Sequence, residues 1–125
     1  MKNLKNLYIL FIALFIFSIS ATAQVVPSGM NYQAVARDLA GTIMANKNIS
    51  LQVALVTDGD KKFEYIEQHQ IRTNELGLFT LVIGDGKASV GSFEEVPWST
   101  NQVWIELSID ANGGSDFTLI HTSRL

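Results

Sequence analysis

The 125-residue sequence contains no cysteine, and this absence removes several kinds of chemistry at once. A chain without thiols forms no disulfide, has no thiolate nucleophile and offers no zinc site built on cysteine ligands. Basic residues are also few, because nine Lys and Arg stand against twelve Asp and Glu, and only Lys61 and Lys62 are adjacent. Nucleic acids and anionic membranes bind clustered positive charge, so the composition argues against both as partners.

One long apolar run is present, and it lies near the amino terminus. Lys2 and Lys5 precede the apolar residues 7–17, and small residues follow at Ala21 and Ala23. This order predicts a cleavable signal peptide over residues 1–23, with cleavage after Ala23. A membrane anchor is disfavoured because a spanning helix needs about 20 apolar residues. We therefore expect a secreted or cell-surface protein with no membrane segment after cleavage.

Cleavage would leave residues 24–125 as the mature chain. The first of these is Gln24 rather than cysteine, which argues against lipoprotein processing and predicts a cyclised amino terminus. Loss of Lys2 and Lys5 changes the formal net charge from −3 to −5. Because the sequence stops soon after its last predicted strand, we expect this domain to be the front part of a longer protein.

The rest of the sequence alternates apolar and polar residues with a period of two, and no helical pattern competes with it. In residues 49–56 the aliphatic side chains alternate, and residues 78–83 and 102–110 behave alike. We predict six or seven strands in an all-β, antiparallel sandwich of the immunoglobulin or transthyretin kind, with a barrel as the lesser alternative. Residues 78–83 are predicted to be a central strand, and the polar residues 63–72 an edge or bulged strand. Ser92 is predicted to cap a short helical turn that ends at Pro97.

A metal site is considered at Asp110, Asn112 and Asp116, whose oxygen atoms stand at spacings that resemble the start of a calcium loop. The loop lacks a closing glutamate, and Asn112 with Gly113 is a strong hairpin signal, so a turn is the favoured interpretation. Asp58 and Asp60 receive the same interpretation. No metal or cofactor is predicted.

No catalytic residue is predicted either. Neither His69 nor His121 has a metal-ligand spacing, and both are expected to be exposed on strands. Glycoside hydrolysis requires two acids across a sugar bond. Candidates by residue type alone, all expected to be solvated, are Glu64, Glu67, Glu94 and Glu95. The protein is therefore predicted not to be an enzyme, with a small secreted hydrolase as the remotest alternative.

Two tryptophans are candidates for ligand binding. Trp98 and Trp104 could stack on sugar rings, with Tyr32 and Tyr65 as further aromatic candidates. Trp104 lies opposite the aliphatic face of its strand, which predicts partial exposure. Packing beneath a loop or at the end of the sandwich is the plainer interpretation of such a residue.

Residues 27–38, PSGMNYQAVARD, resemble the amino-terminal domain of a group of mostly uncharacterised exported proteins of the Bacteroidetes. Later stretches of the sequence are similar to that group in the same order, namely residues 48–51, 73–79, 83–84 and 110–114, with Trp98 and Trp104. The resemblance implies a role in presentation or adhesion at the cell envelope, and it carries over no site residue.

We therefore expect an interaction module that anchors or presents a partner or an appended region. Its partner would be a protein or glycan of the envelope. A carbohydrate-binding module is the alternative, and the oligomeric state stays open.

Overall fold

The structure is a computed structural model that describes Asn3 and residues 28–57, 61–99 and 102–125. Apart from Asn3, the predicted signal peptide lies outside the described residues, and so does the predicted turn at Asp58 and Asp60. In the part of the chain that is described, no helix is both long and apolar enough to cross a membrane.

Seven strands make up the described fold, within the number that the alternation predicts. In chain order they are β1 Met30–Val35, β2 Asn48–Thr57, β3 Lys62–Arg72, β4 Leu78–Ile83, β5 Lys87–Val90, β6 Val103–Asp110 and β7 Thr118–Arg124. Five of them form one sheet in the order β5-β3-β2-β6-β7, and β1 pairs with β4 in a second sheet. Every pairing is antiparallel, which confirms the predicted all-β antiparallel sandwich.

The core lies between the two sheets because each strand turns its aliphatic face inward. From β2 it receives Ile49, Leu51, Val53 and Leu55, which are completely buried. Strand β6 adds Val103, Ile105, Leu107 and Ile109, and β4 adds Phe79, Leu81 and Ile83. These are the inward faces that the period-two pattern predicts.

Two predictions about strand position need correction. Strand β4 is not central, because within the described residues it pairs only with β1. Strand β3 is not an edge strand, because β2 and β5 flank it. The predicted bulge in β3 is confirmed, since the register shifts on both of its sides, at Leu55/Val56 and at Ile66/Glu67.

The predicted helical turn is present as a single 3₁₀ turn, Phe93–Glu95, but Ser92 does not cap it through its side chain. Phe93 is buried in the core and packs its ring against Trp98, with the ring centroids 5.0 Å apart. The turn therefore covers one end of the sandwich and is held by packing.

The two sheets differ in width, and among the described strands this difference leaves both edge strands of the wide sheet exposed. On β6, Ile105 and Leu107 are 1% and 2% exposed, so the narrow sheet covers that strand. On the neighbouring β7, His121 is exposed although it is in register with Leu107, and Ile120 is 40% exposed. A two-stranded sheet is too narrow to cover all five strands that lie opposite it, and β5 and β7 are the strands left exposed.

Candidate functional site

The most polar part of the interior is a corner where the chain passes from β4 in the narrow sheet to β5 in the wide one. Glu67 of β3 lies at this corner, directly opposite Val53 of β2, and it is completely buried. Strand parity explains its position, because every second residue of β3 from Tyr65 to Ile71 faces the core. The inward face of β3 therefore carries an acid and an imidazole among apolar neighbours.

Four groups surround the Glu67 carboxylate and donate hydrogen bonds to it. The Tyr65 hydroxyl donates to Oε2 at 2.8 Å, and the His69 ring nitrogen Nε2 lies 2.9 Å from Oε1. From the loop after β4, the Gly86 amide donates to Oε2 at 2.8 Å and the Gly84 amide lies 3.1 Å and 3.0 Å from the two oxygens. We name this arrangement the Glu67 clamp: the carboxylate of Glu67 with Tyr65, His69, Gly84 and Gly86.

The clamp shifts two ionisation equilibria in opposite directions. Burial acts to raise the pKa of Glu67, but the hydrogen bonds from His69, Tyr65 and the two glycine amides outweigh it, so this pKa lies below its ordinary value. Burial, followed by the hydrogen bond to the Glu67 carboxylate, raises the pKa of Tyr65. Glu67 is therefore held as an anion and Tyr65 as a neutral donor.

Glycine is required where the loop crosses the carboxylate. A Cβ on residue 86 would lie 2.6 Å from Nε2 of His69 and 2.7 Å from Oε2 of Glu67. At residue 84 the backbone has a φ of +109°, and a Cβ would lie 2.7 Å from the Ser28 carbonyl oxygen. The sequence Gly84-Asp85-Gly86 is thus explained by the close approach of backbone to carboxylate.

A saturated carboxylate has little chemistry left to offer. A carboxylate has about four acceptor sites, and the clamp supplies four donor groups. A hollow of about 270 Å³ lies beside the corner, lined in part by Tyr65, Gly84 and Gly86 but not by Glu67. The geometry suits a structural anchor that ties β4 and β5 to β3, and it presents no free base to a substrate.

The opposite flank of the sandwich is open. Between β1 and β7 lie two adjoining hollows of about 630 Å³ and 430 Å³. Strand residues of β1, β4, β6 and β7 line the larger one, including Tyr32, Phe79 and Leu107. Both hollows share Arg37, Asp38, Leu39 and Ile120, so a ridge formed by these residues separates them. We call the two hollows with their ridge the β7 groove.

The ridge is rigid although its tip is fully exposed. Leu39 is 93% exposed at the tip of the turn over residues 38–41. Oδ1 of Asp38 accepts hydrogen bonds from the amides of Ala40 and Thr42, both at 2.9 Å. The Gly41 amide donates to the Asp38 carbonyl at 2.9 Å, with a φ of +84° at Gly41. This apolar side chain is therefore displayed on a turn with a fixed backbone.

The three candidate calcium ligands do meet, but as a turn. Oδ1 of Asp110 accepts the amide of Asn112 at 2.8 Å, and Oδ2 accepts the amide of Asp116 at 3.0 Å. Asn112 and Gly113 are predicted to supply the positive φ angles of this turn, but only Gly113 does so, with a φ of +73°. Backbone hydrogen bonds from Asn112, Asp116 and Gly114 lower the pKa of Asp110. No cluster of three or more metal-ligating His, Asp or Glu side chains occurs among the described residues.

The two tryptophans occupy different environments. Trp98 is half-buried against Phe93 and donates from Nε1 to the Phe93 carbonyl at 3.2 Å, so it packs in the sandwich end. Trp104 is half-buried on the outer face of the wide sheet, as predicted, next to Val56 of β2. Phe63 of β3 lies on the other side of Val56 and is 48% exposed. Nε1 of Trp104 is buried and has no hydrogen-bond partner among the residues the structure describes.

The sequence does not predict the clamp, and the predictions for two of its members are wrong. The Glu67 side chain, predicted to be solvated, is completely buried, and that of His69, predicted to be exposed, is only 12% exposed. Glu64, also predicted to be solvated, has a side chain that is 15% exposed and lies 2.8 Å from Nζ of Lys62. The exposed position predicted for His121 is confirmed. Strand parity was the available signal, because Glu67 and His69 share their face with Tyr65 and Ile71.

Comparison with known proteins places this fold in a family. The family model described as "Domain of unknown function (DUF8740)" matches residues 31–122. This range reaches from β1 into β7, and the chain belongs to the family. No curated protein and no solved structure matches the sequence.

Proposed function

We propose that this member of the DUF8740 family is an exported interaction module without catalytic activity, which binds a protein of the cell envelope through the β7 groove. It would thereby anchor or present a partner or an appended region, in the manner of an adhesion module. The observation that carries this proposal is the groove itself, an apolar concavity beside an uncovered strand.

Exposure of apolar side chains along the groove supports a binding role. Leu39, Leu119 and Ile120 are 93%, 54% and 40% exposed, and they neighbour one another around the ridge. Contiguous apolar patches on soluble domains mark interaction sites, whereas single exposed leucines do not. The rigid turn beneath Leu39 reduces the conformational entropy that binding would cost.

The remaining polar groups of the interior favour a structural role over catalysis. The Glu67 carboxylate has its acceptor sites filled, and the Asp110 carboxylate accepts amides of its own turn. Each therefore serves the fold, and Asp110, which also lines the smaller hollow of the β7 groove, has both oxygens engaged by amides of its own turn.

Export and cell-surface location rest on the amino-terminal pattern and on the resemblance of residues 27–38 to exported Bacteroidetes proteins. To test export, the full chain is produced in a Gram-negative host and the exported protein is analysed by mass spectrometry. We expect a mature protein that begins at a cyclised Gln24. Ala23→Leu is the matched control and should block processing, because the peptidase accepts only small residues there. An exported chain that retains residues 1–23 would contradict the assignment.

Binding through the groove is tested by site-specific photo-cross-linking in intact cells. A benzophenone amino acid replaces Ile120 in the groove or, as a control, the exposed Thr80 on the outer face of β4. We expect an adduct of one reproducible mass at position 120 and none at position 80. Equal labelling at both positions, or none at position 120, would reject the groove as a binding surface.

A carbohydrate-binding module is the second candidate, and one arrangement favours it. Trp104 and Phe63 flank Val56 on the outer face of the wide sheet, and the next outward row along the sheet carries Glu106, while Gln52, Gln68 and Ser108 form the row beyond it. Flat aromatic side chains beside amides and hydroxyls suit sugar rings. Glycan-array binding that is lost in Trp104→Ala and kept in Leu39→Asp would support this candidate. Binding that survives Trp104→Ala would dismiss it.

A further inference from the structure

The two edges of the wide sheet differ in how they resist pairing with another strand. β5 has four residues, carries Lys87 and lies between Gly86 and Gly91. Short edge strands and edge lysines are devices that prevent edge-to-edge association. The β5 edge is therefore protected.

β7 has fewer of these devices. It has seven residues, Thr118–Arg124, contains no lysine, proline or acid, and carries one charged residue, Arg124, at its end. A bulge where its register with β6 shifts, between Leu107 and Ser108, distorts the first half of the strand, but residues 121–124 stay in regular register with β6. In the described part of the sheet no strand lies on its other side. This edge is available for an antiparallel partner.

We propose that the partner is a second copy of this chain. The β7 edges of two copies pair antiparallel about a two-fold axis, and Leu39 of each copy enters the β7 groove of the other. The proposal rests on the proposed function, since it names the partner of that same groove.

The shape of the groove supports a symmetric partner. A two-fold interface uses the same patch on both copies, so the patch must complement itself. The Leu39 ridge lies between two hollows and beside the β7 edge, so one patch contains both the projection and the space that receives it. A projection with 93% exposure on a fixed turn is suited to enter a partner's hollow without rearrangement.

The size of the patch and its charge agree with this partner. Twelve residues line each hollow and four are shared, so the groove comprises twenty residues, of which Met44, Phe79, Leu107, Ile109 and Asp110 are buried. The remaining fifteen, together with the rest of the β7 edge, come close to the roughly 20–30 residues that a standard interface uses on each side. β7 itself contains no acid, so two β7 edges can pair without opposed carboxylates. The hollows carry Arg37 with Asp38, Asp110 and Asp116, so Arg37 of each copy can face an aspartate of the other.

Analytical ultracentrifugation of the exported protein tests the assembly. We expect a dimer that dissociates to a monomer in Leu39→Asp, with the dissociation constant raised at least about tenfold. Leu76→Asp is the matched control, because Leu76 is 63% exposed on another turn and lines neither hollow. A wild-type monomer at high micromolar concentration, or equal loss in both variants, would overturn the proposal.

Disulfide trapping tests the strand pairing itself, and the absence of native cysteine makes it clean. Single cysteines are introduced in turn at each position of β7, with Ser89→Cys on β5 as the control. Only residues facing their own copies across the axis lie within the roughly 4.4–6.8 Å between Cα atoms that a disulfide spans. We expect oxidised dimer only from the one or two positions of β7 that lie at the two-fold axis, and none from position 89. Dimer from no β7 position would exclude edge pairing.

These outcomes separate the inference from the proposed function. If the photo-reactive group at position 120 captures a different protein and the purified chain is a monomer, the proposed binding function is supported and the proposed dimer is rejected. If position 120 captures nothing and the chain is a monomer, both fail.

Discussion

At the β5 edge of the wide sheet, a loop of glycines folds over a buried carboxylate and fills its acceptor sites. At the β7 edge, apolar side chains lie beside a strand that no other described part of the chain covers. The first region, the Glu67 clamp, has polar groups that are all paired inside the fold. The second, the β7 groove, has apolar groups left at the surface. The comparison suggests that stability is concentrated at one edge and recognition at the other.

Removal of the clamp carboxylate should have the largest effect. Glu67→Ala leaves the Tyr65 hydroxyl and the Gly84 and Gly86 amides without their acceptor in a buried site. Breaking a buried, hydrogen-bonded charged group costs about 3–5 kcal/mol. We expect a loss of that size in the free energy of unfolding, measured by urea denaturation. The control Glu75→Ala, on an exposed turn, should change it by less than about 0.5 kcal/mol. Equal losses would mean that the clamp does not stabilise the fold.

Alanine substitutions of large aliphatic residues on neighbouring strands compare a covered position with an uncovered one. Leu107 of β6 is 2% exposed, so Leu107→Ala should lower the free energy of unfolding by about 2–5 kcal/mol. Ile120 of β7 lines both hollows and is 40% exposed, and Ile120→Ala should cost below about 1 kcal/mol when measured on monomer. Urea denaturation in the Leu39→Asp background removes any contribution from association. A large loss at Ile120 would show that β7 is covered after all.

The alternation of apolar and polar residues predicts some features of these two edges and not others. The period-two pattern specifies which residues of β2, β4 and β6 face inward, and those predictions are confirmed. It does not specify which strand pairs with which, so β4 could be taken for a central strand although its partner is only β1. Strand parity on β3 predicts that Glu67 and His69 face the core. The amide donors to the Glu67 carboxylate cannot be predicted in this way, because Gly84 and Gly86 contact it only where the chain crosses from β4 in the narrow sheet to β5 in the wide sheet.

The open edge is harder still to predict from the sequence. Leu119 and Ile120 have the composition of core residues, and Leu39 lies in a turn where apolar residues carry no signal. The exposure of Ile120 follows from the unequal widths of the two sheets, and that of Leu119 from its register with the outward-facing Ser108. Both are properties of the assembled topology. The turn at Asp110, in contrast, is local, and Asn112 with Gly113 was sufficient to predict it.

The clamp should also respond to acid. Since the pKa of Glu67 is lowered in the folded state, its ionised form stabilises the fold above its ordinary pKa of about 4.5. This contribution is lost as the pH falls from there through the depressed folded value. The Gly86 amide donates to the Glu67 carboxylate, so its NMR signal reports the ionisation of Glu67, and this signal should move only below pH 4.5. A Gly86 transition above that pH would mean that the hydrogen bonds do not outweigh burial.

The smallest expected effect is at the Asp110 turn, and it distinguishes a structural anion from a ligand. Both oxygens of Asp110 accept backbone amides, so a calcium ion would have to break these bonds before it could coordinate them. We expect millimolar calcium to leave the melting temperature of the exported protein unchanged relative to a chelator. Asp110→Asn should lower the melting temperature, because an uncharged amide oxygen is a weaker acceptor and its amino group faces an amide donor. A rise in melting temperature with calcium that disappears in Asp110→Asn would instead make this turn a metal site. The chain would then carry two anionic centres with different roles, Glu67 closed by protein donors and Asp110 open to an ion.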